Sequence, residues 1–292
     1  MKKISVSLLG ICLAISFSSL AFAAHGEKKA AKKGILLVSF GSSIPEARVA
    51  FENIEQKVRA AFPEVPVRWA YTSHIIRRKL AKEGTMLDSA EMALAKMMEE
   101  GFTHVAVQSL HTIGGEEFHG LRRNAHAFGQ MFEGFRRIIV GHPLLGTEKD
   151  MVKVADALIA NAPKERKKDE AVVLMGHGTH HPSNAFYAAL MYRLQRKDPN
   201  FFVGTVEGSP EIGEIKSLLK AKKIRKAYLM PFMSVAGDHA RNDMAGDEAD
   251  SWKSILTKEG IACVSVLKGT AEYDNIVSVW TDHLKVAMAH LK

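Results

Sequence analysis

The chain has 292 residues, a length that allows two modest domains or one large one. Its 47% hydrophobic and 25% charged residues are those of a globular protein, not of a disordered or fibrous one. The formal charge of +8 includes Lys2 and Lys3. The basic runs near 28–33, 164–168 and 222–226 carry no interleaved aromatics, which argues against a nucleic-acid platform and leaves a polyanionic small ligand open.

Residues 1–23 read as a secretory signal peptide. Lys2-Lys3 is the positive start, 4–20 the apolar run and Ala21-Phe22-Ala23 the small-residue cleavage site. Cleavage there removes Cys12, leaves Cys263 as the one cysteine and excludes an internal disulfide. The expectation is an exported, periplasmic protein held together by its core. No later apolar run is long enough to span a bilayer.

After a basic arm over 24–33, a strand is predicted over 35–40 and a helix from Pro45 to about Phe62. A strand over 65–71 and a basic helix over 72–82 follow. Thr85 with Asp88 resembles a capping box for a helix ending at Glu100. A strand over 104–110 leads through a loop with Gly114-Gly115 into a helix to about Gly134. A strand over 137–140 and a helix over 147–160, capped by Thr147, complete a first α/β domain assigned to 34–165. The polar stretch 161–170, with Pro163, is the linker candidate.

The second domain, 166–292, repeats the order. A strand over 171–175 leads to a helix over 183–196. A strand over 201–206 leads to a helix for which Ser209 is the expected cap and Pro210 the first residue. A strand over 226–231 precedes one long helix to about Lys258, then a strand over 261–267. The last helix, 272–290, has Ile276, Val279, Trp280, Leu284 and Ala287 on one stripe, and can pack on the first domain. Strands alternating with helices predict parallel sheets with right-handed crossovers, two Rossmann-like or flavodoxin-like units.

The repeat is visible in residues. Phe40-Gly41-Ser42 aligns with His177-Gly178-Thr179 and Pro45 with Pro182 at one constant offset. Near the third strands Gly115 matches Gly237 and Glu117 matches His239. Three strand ends of the second unit carry polar groups: His177, Glu207 and His239. Loops after parallel strands emerge on one sheet edge, where α/β sheets bind ligands. Two imidazoles and a carboxylate there suit a divalent first-row metal with open positions, or proton transfer near neutral pH. Each residue alone is equally a structural one: a hydrogen-bonded strand-end His, or a Glu favouring the helix dipole it precedes. In the first unit the equivalents are Phe40, about Thr72, and Glu117.

With these residues in view, Gly176-His177-Gly178-Thr179, the Glu207 strand end and the segment from Met233 to Asp247 resemble the anaerobic cobalt chelatases. These are sirohydrochlorin cobaltochelatases of the class II tetrapyrrole chelatases, related to ferrochelatase. The likeness runs from about Gly34 to the end, includes Ser39-Phe40-Gly41-Ser42, and is most specific around His239. The resemblance implies ATP-independent insertion of Co²⁺ into sirohydrochlorin or its reduced precursor, a lyase reaction of cobalamin and porphyrin biosynthesis, in a cleft between the two units. It implies that His177, Glu207 and His239 hold the metal, with His177 as proton acceptor. Fe²⁺ or Ni²⁺ would suit the same ligands.

Asp243, four residues beyond His239, is a candidate orienting partner for that imidazole. Arg77, Arg78, Arg122, Arg123 and Arg241, with Ser42 and Thr179, are candidates for the substrate carboxylates. His111, His119 and His126 crowd one region as ordinary buried or solvated histidines. His119 is the one best placed to bind an extra metal or a haem, and a homo-oligomer sharing it is compatible with the sequence. The other class of function that fits is a periplasmic metal or tetrapyrrole carrier without turnover; a two-lobed solute-binding protein fits less well.

Overall fold

Short runs of β-branched and aliphatic residues build two parallel sheets in the computed structural model, which describes residues 30–292. The signal-peptide expectation and most of the basic arm lie outside them. The first sheet holds β1 (Lys33–Ser39), β2 (Val67–Tyr71), β3 (His104–Ser109) and β4 (Arg137–Gly141) in the order β2-β1-β3-β4. The second holds β5 (Ala171–Gly178), β6 (Phe201–Glu207), β7 (Lys226–Pro231) and β8 (Ala262–Ser265) in the order β6-β5-β7-β8. Every pairing is parallel. The two orders correspond strand for strand, as a repeated α/β unit requires.

Between the strands run α1 (Arg48–Ala61), α2 (His74–Lys82), α3 (Ala90–Glu99), α4 (Glu116–Gln130), α5 (Glu148–Ala160), α6 (Ala185–Gln195), α7 (Ile212–Ala221) and α8 (Trp252–Lys258). The chain closes with α9 (Asp274–Ala289). Strand alternation sorts the core. Ile35 and Leu37 of β1, with Val172 and Leu174 of β5, enter one apolar layer common to both halves. Leu36 and Val38 pack outward under α3, with Leu94 and Met97. Val173 and Met175 pack outward against Phe202 and Trp252.

The last helix joins the halves. Its buried stripe, Ile276, Val279, Trp280, Leu284 and Ala287, lies against β3 and β4 of the first sheet. Polar contacts fix its entry and flank. Lys57 Nζ meets Asp274 at 2.8 Å and Asn53 donates to the Ala271 carbonyl at 2.9 Å. His283 Nδ1 donates to the His142 carbonyl at 3.1 Å, while its Nε2 stands 3.0 Å from Asp150 Oδ2, too far off line for a hydrogen bond. Residues 31–292 are one compact unit. None of the described helices is long and apolar enough to cross a membrane.

Local expectations fail in three places. The helix cap before α3 is Ser89, whose hydroxyl accepts the Met92 amide; Thr85 lies too far upstream. The cap of α7 is Glu211, because the Glu214 carboxylate reaches back to the Glu211 amide at 2.8 Å; Ser209 donates to the same carboxylate instead of capping. The single long helix after β7 is a π-helical turn, Ala240–Met244, and the separate α8. Ser251 makes the break: it donates to the Gly246 carbonyl at 2.7 Å and caps α8 by accepting the Ser254 amide at 3.1 Å.

Candidate active site

The carboxyl ends of the two sheets face each other, and the first contact across them is Phe40 against His177, with ring centroids 5.8 Å apart. β5 runs three residues past its expected end, so His177 is the last residue but one of the strand itself. Gly178 makes that possible. It has φ +82°, and a Cβ there would lie 1.7 Å from the Glu207 carbonyl oxygen. Only glycine lets the ends of β5 and β6 close in this way, with Gly178 in register with Glu207. Glu207 is thereby placed beside the His177 strand end with its side chain exposed.

His239 comes from the loop after β7. Its ring centroid is 4.9 Å from that of His177, nearly perpendicular to it. Both rings are held through Nδ1. His177 Nδ1 donates to the Gly178 carbonyl at 3.1 Å, and His239 Nδ1 is hydrogen-bonded to the Asp243 carboxylate. Carbonyl and carboxylate oxygens only accept, so in each neutral ring Nδ1 carries the hydrogen and Nε2 keeps its lone pair. Two free lone pairs on adjacent rings can take a metal ion or accept protons.

The first half supplies the carboxylate that the repeat marked as its one ligand-type residue, Glu117. Glu117 Oε2 accepts hydrogen bonds from Thr72 Oγ1 and His111 Nε2, each 3.0 Å. Burial pushes its pKa up, but the hydrogen bonds and charge from His111, the bond from Thr72 and the charge of nearby His177 outweigh that. The carboxyl is held below its ordinary value. Thr72 and Glu117 are the counterparts of the Glu207 and His239 positions, so the repeat itself was the signal for this group. Among the described residues, no three or more His, Cys, Asp or Glu side chains converge closely enough to hold a metal together. The site is a His177–His239 pair flanked by two separate carboxylates.

The other candidates divide. Ser42 lies at the seam: a Cβ on Gly237 would sit 3.3 Å from its hydroxyl, so the first-half loop touches the loop carrying His239. Arg77 and Arg241 each have a buried Nε without a hydrogen-bond partner, and Arg241 stands 3.8 Å from Glu46. Arg78 is exposed. The Thr179 hydroxyl is spent on its own turn, accepting the His181 amide at 3.1 Å. His119 stands apart from the His177 pair. Its ring is 5.2 Å from that of His181, and with Arg122, Arg123 and His126 it lines an open cavity of about 490 Å³. His181 lines a neighbouring pocket with Glu116, His119 and Arg123; its Nδ1 accepts the Ser183 amide at 3.1 Å, so in the neutral ring Nε2 carries the hydrogen and is a donor rather than a ligand.

Known proteins resemble this chain over most of its length. A family model for cobalt chelatase (CbiK) matches residues 33–289. The sirohydrochlorin cobaltochelatase CbiKC of Nitratidesulfovibrio vulgaris is 46% identical over 260 residues, covering 89% of this chain and 92% of the relative. The sirohydrochlorin cobaltochelatase of Salmonella typhimurium is 36% identical over 261 residues, covering 88% and 97%. Among solved structures, SirB from Bacillus subtilis with Fe3+ superposes with a TM-score of 0.58 at 18% identity, over 89% of this chain and 96% of that one. CbiX, a terminal enzyme of sirohaem biosynthesis in denitrifying bacteria, gives 0.52 at 17% identity, over 87% and 99%. At such identities the two structures speak for the fold.

Proposed function

The chain belongs to the CbiK cobalt chelatase family, and from that premise we propose that it inserts Co²⁺ into sirohydrochlorin at the facing edges of its two sheets, without ATP. The observation that carries the assignment to a site is the His177–His239 pair, with ring centroids 4.9 Å apart and both Nε2 lone pairs free.

Insertion replaces two pyrrole protons with one dication. The two imidazoles hold the entering Co²⁺ through Nε2, and Glu207 and Glu117 on either side offset its charge. Few ligands and an open face let the ion leave for the ring nitrogens. As the metal leaves, the Nε2 of His177 is free to accept one pyrrole proton and the Nε2 of His239 the second. Phe40, against His177, offers an apolar face to the macrocycle. The unpaired Nε groups of Arg77 and Arg241 are suited to its carboxylates, with Arg78, Ser42 and Thr179 as weaker candidates. Fe²⁺ and Ni²⁺ compete for the same donors.

The test is Co²⁺ insertion into sirohydrochlorin, followed by absorbance, in the parent, His177→Ala and His239→Ala. Turnover in the parent and its loss in both variants is the expected result. Binding of metal and tetrapyrrole without turnover would replace the enzyme by a carrier, and full turnover in His177→Ala would move the site elsewhere.

We also propose that His119 binds an additional metal or a haem, in a homo-oligomer that shares it. The support is its place on an open cavity of about 490 Å³, with Arg122 and Arg123 available for propionate carboxylates. A Soret band, or a second metal per chain, that disappears in His119→Ala is expected; absence of both from the parent sinks the idea.

Export is a further proposal, resting on the sequence of residues 1–23. Cell fractionation and the mass of the mature chain decide it, with a periplasmic product beginning near Ala24 expected. An intact cytoplasmic chain would refute it.

A further inference from the structure

We infer that His111 is a positioning residue for the carboxylate that the first half brings to the metal. This rests on the chelatase site proposed above and assigns Glu117 a fixed orientation within it. His111 follows β3, and its side chain is only 11% exposed. Ser109, fully buried, places its Oγ 2.8 Å from His111 Nδ1 and 3.4 Å from the His111 backbone nitrogen. A hydroxyl has one hydrogen. Glu117 Oε2, a carboxylate oxygen 3.0 Å from His111 Nε2, only accepts, so the ring hydrogen sits on Nε2. Nδ1 of the neutral ring then accepts, and the Ser109 hydroxyl gives it its hydrogen while Oγ takes the backbone N–H. Buried Ser109 thus supports, from the other side of the ring, the tautomer in which His111 donates to the carboxylate.

The second donor, Thr72 Oγ1, reaches the same oxygen. Both bonds go to Oε2, which leaves Oε1 as the free oxygen of Glu117. The backbone around His111 is fixed as well: Leu144 N donates to the His111 carbonyl and Leu145 N to that of Thr112, each at 2.9 Å, and both leucines are buried. Without His111, Glu117 would keep one tether, on a threonine hydroxyl that can rotate. A long side chain in the first turn of α4 would then sample several rotamers, and each metal encounter would have to order it again.

The experiment measures Co²⁺ binding to the full chain without tetrapyrrole, from the absorbance of the bound ion, alongside insertion kinetics at varied Co²⁺. Parent, His111→Ala, His111→Gln and Ser109→Ala are compared, with thermal unfolding as a check on folding. Loss of an orienting partner typically weakens metal binding by about 10–100-fold. His111→Ala should weaken Co²⁺ binding and raise KM for Co²⁺ by about tenfold or more, with kcat changed far less. His111→Gln keeps an N–H donor at similar reach and should recover most of the loss; Ser109→Ala should fall between. Unchanged Co²⁺ affinity in His111→Ala overturns the inference, as does a Gln variant no better than Ala. Failure of the chelatase reading is distinguishable, because it shows as a parent without turnover or a fully active His177→Ala. The binding comparison decides the role of His111 in either case.

Discussion

His177 and His239 present the same ring nitrogen for different reasons. One is oriented by the backbone carbonyl of its neighbour and the other by a carboxylate one helical turn on. The difference predicts different sensitivities. Removing the Asp243 carboxylate as Asp243→Asn frees His239 to change tautomer, and Co²⁺ affinity should fall by about 10–100-fold, read by titration of the bound-ion absorbance; no change would deny Asp243 its orienting role. His177 has no side chain to remove, but it has Gly178. Gly178→Ala would place a methyl 1.7 Å from the Glu207 carbonyl at φ +82°. It should cost at least about 1–2 kcal/mol in urea unfolding, the penalty of the left-handed backbone alone, and should abolish insertion by prising β5 from β6. Sequence reasoning placed His177, Glu207 and His239 at strand ends and paired Asp243 with His239 because strand ends and helical spacing are local features. It marked Glu117 as the one ligand-type residue the first half could have kept, but not its partner Thr72, which reaches it only after β2 and β3 have come to the same sheet edge.

The amino edge of the first sheet illustrates what elements impose on one another. β1, β3 and β4 bring Lys33, Arg136 and Arg137 around His104, and burial first, then these three cations, lowers the pKa of its imidazole. A His whose folded pKa lies below its unfolded value binds fewer protons when folded. Its contribution favours folding above about pH 6.5 and is lost as pH falls through that region toward the folded pKa. Acidification from pH 7.5 to 5.5 should therefore destabilise the parent more than His104→Gln, measured by urea midpoints at both values; equal losses would show that His104 plays no part. At the other edge, the expected long helix after β7 is broken where Ser251 satisfies Gly246 and recaps the chain. The break leaves Ala240–Met244 as a π-helical turn that begins directly after His239.

On the scale of the whole molecule, α9 decides whether the repeat behaves as two domains or one body. Leu284 and Trp280 are fully buried in the layer that also holds β1 and β5 residues. Leu284→Ala should cost about 2–5 kcal/mol and shift a single unfolding transition, monitored by tryptophan fluorescence and circular dichroism together. Two separate transitions would mean that the halves unfold independently. The sequence by itself determined the strand order of chemistry: apolar period, glycine and proline punctuation and the internal echo suffice to place two parallel sheets with His177, Glu207 and His239 on one edge, because these depend on neighbours within a few residues. Only the tertiary structure decided what meets that edge. The sequence offered α9 a place on the first domain, but the approach of Phe40 to His177 and the bond from Thr72 to Glu117 join residues far apart in sequence. They are fixed by burial and hydrogen-bond direction across the cleft, which no local pattern encodes.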